Sequence, residues 1–203
     1  MILALLVFSS QLTFAQWYVG VNGGVKVSDA YFESLRISTE YVVQGTGAVT
    51  VLYLPEGNKP GVNFVLGQSA YGFVENTDLG PVKYTNRGWN FQFHSVLYVP
   101  IKGFGLNIEL GPAISYYQNP VFSGVRDNSQ LPEFNETNVK KLMLDLEGGI
   151  GMTQKIGPVH LGINALFVFN ASKIYPNMNS MNNPLSVMST LSLRYRISKV
   201  RLD

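Results

Sequence analysis

From Phe104 to Tyr116 every second residue is apolar. Phe104, Leu106, Ile108, Leu110, Pro112, Ile114 and Tyr116 share one face, and Gly105, Asn107, Glu109, Gly111, Ala113 and Ser115 share the other. A period of two belongs to a strand with two chemically different faces and excludes a helix, whose faces repeat every 3.6 residues. The pattern recurs along the chain. Leu142 to Met152 sets Leu142, Leu144, Leu146 and Ile150 against Lys141, Asp145, Glu147 and Gly149. Val159 to Phe169, Leu185 to Ile197 and Trp89 to Val99 repeat it, with His160, Asn164, Arg194, Arg196, Asn90, Gln92 and His94 on their polar faces. Three weaker segments precede these: Trp17 to Val27, a second marked by Val49, Val51 and Tyr53, and a third that begins at Val62, Phe64 and Leu66 and loses its alternation later on. The sum is eight, an even number, which lets a closed barrel return both termini to the same side.

What occupies each face decides the class of barrel. A soluble up-and-down barrel such as a lipocalin also alternates, but its polar face meets water and is filled with Lys, Glu and Arg. Here that face is mostly Gly, Asn, Ser and Thr. Charged residues are 14% of the chain although hydrophobic ones are 46%. The apolar face of the five best strands carries no charge at all, and an Arg or Lys on a lipid-facing position at mid-membrane costs roughly 2–4 kcal/mol. Trp17, Tyr53, Trp89 and Tyr116 stand near strand ends, where amphipathic rings suit an interface. The predicted fold is all-β: an eight-stranded antiparallel up-and-down transmembrane β-barrel, with Leu106, Ile108, Leu144 and Ile163 facing outward.

The connections sort by length. Pro55–Pro60, Pro100–Gly103 and Gln154–Gly157 are short, whereas Ser28–Ser38, Glu75–Tyr84, Gln118–Lys140 and Ser172–Pro184 are longer and polar. Bacterial barrels place tight turns in the periplasm and larger loops outside. Ahead of the first strand, Met1–Phe8 reads MILALLVF, and Thr13 and Ala15 stand three and one positions before Gln16. Residues 1–15 are therefore expected to be a cleaved secretory signal and 16–203 the barrel domain. Near the C-terminus TLSLRYRI, Thr190–Ile197, resembles the terminal insertion signal of outer-membrane barrels, although Ser198–Asp203 follow it and its last apolar residue is Ile. A signal plus eight strands resembles the small OmpA/OmpX-like barrels and the PorT-like outer-membrane barrel-domain proteins of Bacteroidota, over residues 16–197. That resemblance implies a cell outer-membrane location in contact with membrane lipid, and says little about activity.

Chemistry is sparse. A net charge of +2 without a basic run argues against nucleic acid as a partner. The absence of cysteine removes disulfides, thiolate metal sites and a lipoprotein anchor. GGIG at Gly148–Gly151 lacks the rest of a dinucleotide fingerprint, no Walker Lys is present, and the two His form no HExxH. No cofactor or metal is expected. Ser95 adjoins His94, so their side chains point to opposite faces and cannot act as nucleophile and base. No catalytic residue is assigned, and the chain is expected not to be an enzyme. The candidate site is the interior. A turn at Pro100–Gly103 implies that paired residue numbers sum to about 203, which sets His94 directly opposite Glu109. Asp145 and Glu147 fall at similar depth on the next strand, and Arg194 and Arg196 point inward on the last. Eight strands enclose a space that side chains just fill, so these charges are expected to pair in a network that plugs the barrel. The alternative is a narrow ion- or proton-gated passage, followed by a barrel enzyme that modifies lipid A or phospholipid. The long loop, with Phe122, Arg126, Asp127, Glu133 and Phe134, is the candidate contact for a protein partner.

Overall fold

The computed structural model describes residues 15–32, 37–55, 59–118, 121–124, 129–177 and 184–199. The expected signal segment lies outside these residues apart from Ala15. Nine strands follow one another: β1 Ala15–Ala30, β2 Thr39–Pro55, β3 Gly61–Thr77, β4 Gly80–Ile101, β5 Phe104–Tyr117, β6 Val121–Ser123, β7 Leu142–Ile156, β8 Val159–Asn170 and β9 Pro184–Lys199. Eight of them close into an antiparallel ring in the order β1-β2-β3-β4-β5-β7-β8-β9, with β9 paired back onto β1. The short β6 adds to the far end of β4, at Lys83–Thr85. Closure leaves the ring without an edge strand.

The ring turns its apolar face outward. Leu106, Ile108, Leu144 and Ile163 are between 41% and 53% exposed, whereas Asn63, His94, Ser115 and Glu147 on the opposite face are at most 1% exposed. A soluble barrel would show the reverse. Between residues 17–27, 41–53, 89–101, 104–116, 142–156, 159–169 and 185–197, the outward positions carry no charged residue.

Two connections differ from the expectation. Glu75–Tyr84 is not a loop: Thr77 pairs with Gly80 across a two-residue turn, and both strands run on without a break. Residues 80–88 still alternate, but with Lys83, Thr85 and Arg87 outward and the buried Val82, Tyr84 and Asn86 inward. Because the outward face changes from polar to apolar only at Trp89, a reading keyed to an apolar outer face ends the strand there. The β4–β5 turn consists of Lys102 and Gly103 alone, with Ile101 paired to Phe104. Gly103 has φ of 85°, a region that L side chains rarely adopt, which is why the chain can reverse so tightly here. Glu109 therefore pairs with Val96, not with His94. A slip of two residues keeps every side chain on its own face.

One seam interrupts the wall. The β2–β3 ladder shifts register between Tyr41 and Gly47. There the hydroxyl of Ser28, from β1, accepts from the Gly72 N–H and donates to the Gly72 C=O, both at 2.9 Å. Residues 69–73 are all buried at this seam, which is why the later half of β3 does not alternate in the sequence.

Candidate functional site

Inside the ring the side chains form three layers. Beneath the long loops lies an apolar cap of Tyr71, Phe73, Tyr84 and Tyr117 from the strands, with Phe32, Leu131, Val139, Ile174 and Tyr175 from the connections. At the short-turn end Tyr18, Leu52, Leu54 and Val96 close the ring, with Tyr98 packed against them. Between the two sits the polar layer.

His94 of β4 is its centre and is fully buried. Its Nδ1 is 3.3 Å from Glu109 Oε2 on β5, and its Nε2 is 3.2 Å from Glu147 Oε2 on β7. The first contact is aligned as a hydrogen bond; the second is a close approach out of line for one. Glu109 also accepts from Asn63 Nδ2 at 3.2 Å and Asn107 Nδ2 at 3.1 Å, and lies 4.0 Å from Arg194 Nη2 on β9. Glu147 accepts from Gln92 Nε2 at 3.3 Å. A carboxylate oxygen only accepts, so with one at each nitrogen the imidazole suits this place as a cation. Two carboxylates then face one imidazolium and one guanidinium, and the layer is neutral overall. A cavity of about 30 Å³, room for a water or two, lies among Lys26, Asn90, Gln92, Glu109, Glu147 and Arg194.

The structure thus brings His94, Glu109, Glu147 and Arg194 together. With Glu109 paired across the strand to Val96, the His94–Glu109 contact is diagonal, which long side chains span. Asp145 belongs to a neighbouring set, accepting from Ser115 Oγ at 2.7 Å and Asn170 Nδ2 at 2.6 Å. Arg196 stands apart, half-buried and paired with Tyr18 nearer the short-turn end. Sequence reasoning missed the amides: Asn63, Gln92, Asn107 and Asn164 complete the network. Their inward parity was the available signal, but alternation alone does not say which amide reaches which carboxylate. Lys26 was missed as well; it is buried on β1 and donates to Ser69 Oγ at 3.3 Å.

At the loop end, Glu75 is a further buried carboxylate. It accepts from the Tyr84 hydroxyl at 2.9 Å, the Ser129 hydroxyl at 2.6 Å and the Gln130 N–H at 3.0 Å, tying the long loop down onto the ring. Phe134 is half-buried and packs against Phe73, Tyr84 and Tyr175. Phe122 on β6 and Glu133 are exposed, while Arg126 and Asp127 lie outside the described residues. On the loop surface Glu136 is held below the usual carboxylate range by the hydrogen bond from Lys141 at 2.7 Å.

Neither a protein-family model nor a curated protein matches the chain. Among solved structures, it is similar to Ail, the attachment invasion locus protein of Yersinia pestis, at 15% identity over 88% of this chain and 98% of that one, with a TM-score of 0.46. It is similar to Neisserial surface protein A at 12% identity over 90% and 99%, TM-score 0.47. The outer membrane protein OprG from Pseudomonas aeruginosa matches at 12% identity over 89% and 96%, TM-score 0.42.

Proposed function

We propose that the chain is an outer-membrane β-barrel protein whose interior is a plug, and whose role is structural or interactive, carried by the surface at its loop end. The single observation behind this reading is the uncharged, exposed apolar belt around a closed antiparallel ring. An aqueous setting gives such a belt nothing to pack against, whereas lipid does, and closure satisfies every backbone group that lipid cannot. Single-chain barrels of this kind are built for the bacterial outer membrane. The finer placement among PorT-like proteins of Bacteroidota rests on the pattern of a signal segment followed by eight strands.

The plugged reading is favoured over a gated passage by the layering. A permeating ion would have to cross the apolar cap, the His94–Glu109–Glu147–Arg194 layer and the Tyr18–Leu52–Val96 closure in turn. On this reading the protein has no catalytic role; Ser95 faces out and His94 faces in, so the wall of the barrel separates them. The barrel is tested by gel migration: unheated protein should run ahead of boiled protein, and recovery as freely dissolved periplasmic protein would end the proposal. Planar-bilayer recordings should show no single-channel steps from acidic to mildly alkaline pH, and lipid A mass spectra should be unchanged by expression.

A further inference from the structure

The described acidic side chains stand in the polar layer or toward the loop end, and none lies at the short-turn mouth. What lines that mouth is two cations, Lys155 and Arg196, with the His160 imidazole and the buried Arg194 behind them. Lys155 on β7 is the cross-strand partner of His160 on β8, and His160 is the partner of Arg194 on β9. Arg196 follows two residues nearer the opening, beside Tyr18 on β1, with its N–H bonded to the Pro158 carbonyl at 2.9 Å. All four share the inward parity of their strands. Directly paired residues have Cβ atoms about 4.5–5.5 Å apart, so the His160 ring stands between the Lys155 and Arg194 side chains.

Among the described residues only Glu109 of the polar layer faces this row, through Arg194, and neither Lys155 nor Arg196 is ion-paired to a described carboxylate. Lys155 Nζ lies over the Tyr98 ring at 4.6 Å, and the His160 ring lies 4.2 Å from that of Tyr18. Arg194 is 3% exposed, yet its Nε has no hydrogen-bond partner. Its one carboxylate, Glu109, is 4.0 Å away and already occupied by His94, Asn63 and Asn107. The hydroxyl of Tyr98, whose ring lies under Lys155, is buried and also unpartnered. A buried donor left unmade is expensive, so this arrangement calls for an acceptor that the described side chains do not supply.

We infer that the short-turn mouth is a binding site for a phosphate-class oxyanion, held by Arg196, Lys155 and His160 with the Arg194 Nε and Tyr98 hydroxyl behind them. A tetrahedral oxyanion offers several acceptors at once and matches the fork of a guanidinium. The same chemistry is presented by free phosphate and by a phospholipid headgroup; only the second source rests on the membrane reading.

Calorimetric titration of inorganic phosphate into the folded barrel, in a phosphate-free maltoside detergent, tests the site. Binding is expected to saturate, to weaken about tenfold or more in Arg196→Gln, as for loss of a charged hydrogen bond, and to be unaffected by Lys83→Gln at the opposite end. Gel migration checks that each variant is folded; if Arg196→Gln is not, Lys155→Gln at the exposed rim is read in its place. Repeating the titration in phosphatidylglycerol nanodiscs separates the sources: undiminished binding indicates free phosphate, and lost binding indicates a headgroup already seated. Absence of saturable phosphate binding in detergent, or binding equal in the wild type and the rim variants, overturns the inference while leaving the barrel reading intact.

Discussion

Replacing His94 by Leu removes the one cation that touches both central carboxylates. Leaving a buried charge without its partner costs about 3–5 kcal/mol. The structure says which carboxylate bears the loss. Glu109 retains Asn63, Asn107 and Arg194, whereas among the described residues Glu147 retains only Gln92, at 3.3 Å. Glu147→Gln in the His94→Leu background therefore removes the orphaned charge and should recover most of the lost stability. Glu109→Gln in the same background should recover none of it, because Glu147 stays unpaired and Arg194 loses its counter-ion. The measurement is urea unfolding of the barrel in phospholipid vesicles, followed by gel migration and by tryptophan fluorescence. Coupled groups give non-additive losses of this kind, and independent ones do not. If His94→Leu/Glu147→Gln is no more stable than His94→Leu, the four ions do not act as one unit.

Other parts of the molecule make sharper or simpler demands. Ile108→Arg, at a position 51% exposed in the middle of the apolar belt, should destabilise the vesicle-inserted barrel by about 2–4 kcal/mol; no loss in the same urea titration would argue against lipid contact at this wall. Gly111→Ala should lower the unfolding midpoint by an amount equivalent to about 1–3 kcal/mol, since its Cβ would stand 1.9 Å from the Phe93 carbonyl oxygen and 2.8 Å from His94 Cα. Glu75→Ala frees the donors of Tyr84, Ser129 and Gln130, so trypsin should cut the folded protein at Lys140 and Lys141 faster than the wild type; equal rates would mean that Glu75 does not tie the loop down.

The two faces of each strand were legible because side chains alternate with a period of two, a local property that survives errors in register or strand end. Leu106, Ile108, Leu144 and Ile163 are read correctly as outward for that reason, and His94, Glu109, Glu147 and Arg194 as inward. The extent of β4 was not legible. Tyr84 and Arg87 keep the alternation but change the chemistry of the outer face, and polarity alone cannot separate a strand that has left an apolar belt from a loop. Nor could the loops announce their positions. Phe134 reads as an exposed aromatic on a polar arm until Phe73 and Tyr175 are seen beneath it.

The amino-acid order by itself determined that this chain forms strands, that eight of them close, and which residues share the lumen, since each follows from local periodicity and from the price of charge in lipid. Only the closed ring decided who meets whom. A shift of two residues at Gly103, the seam between β2 and β3, and the row Lys155–His160–Arg194 all depend on how separate strands are staggered, and stagger is fixed by packing across the whole barrel.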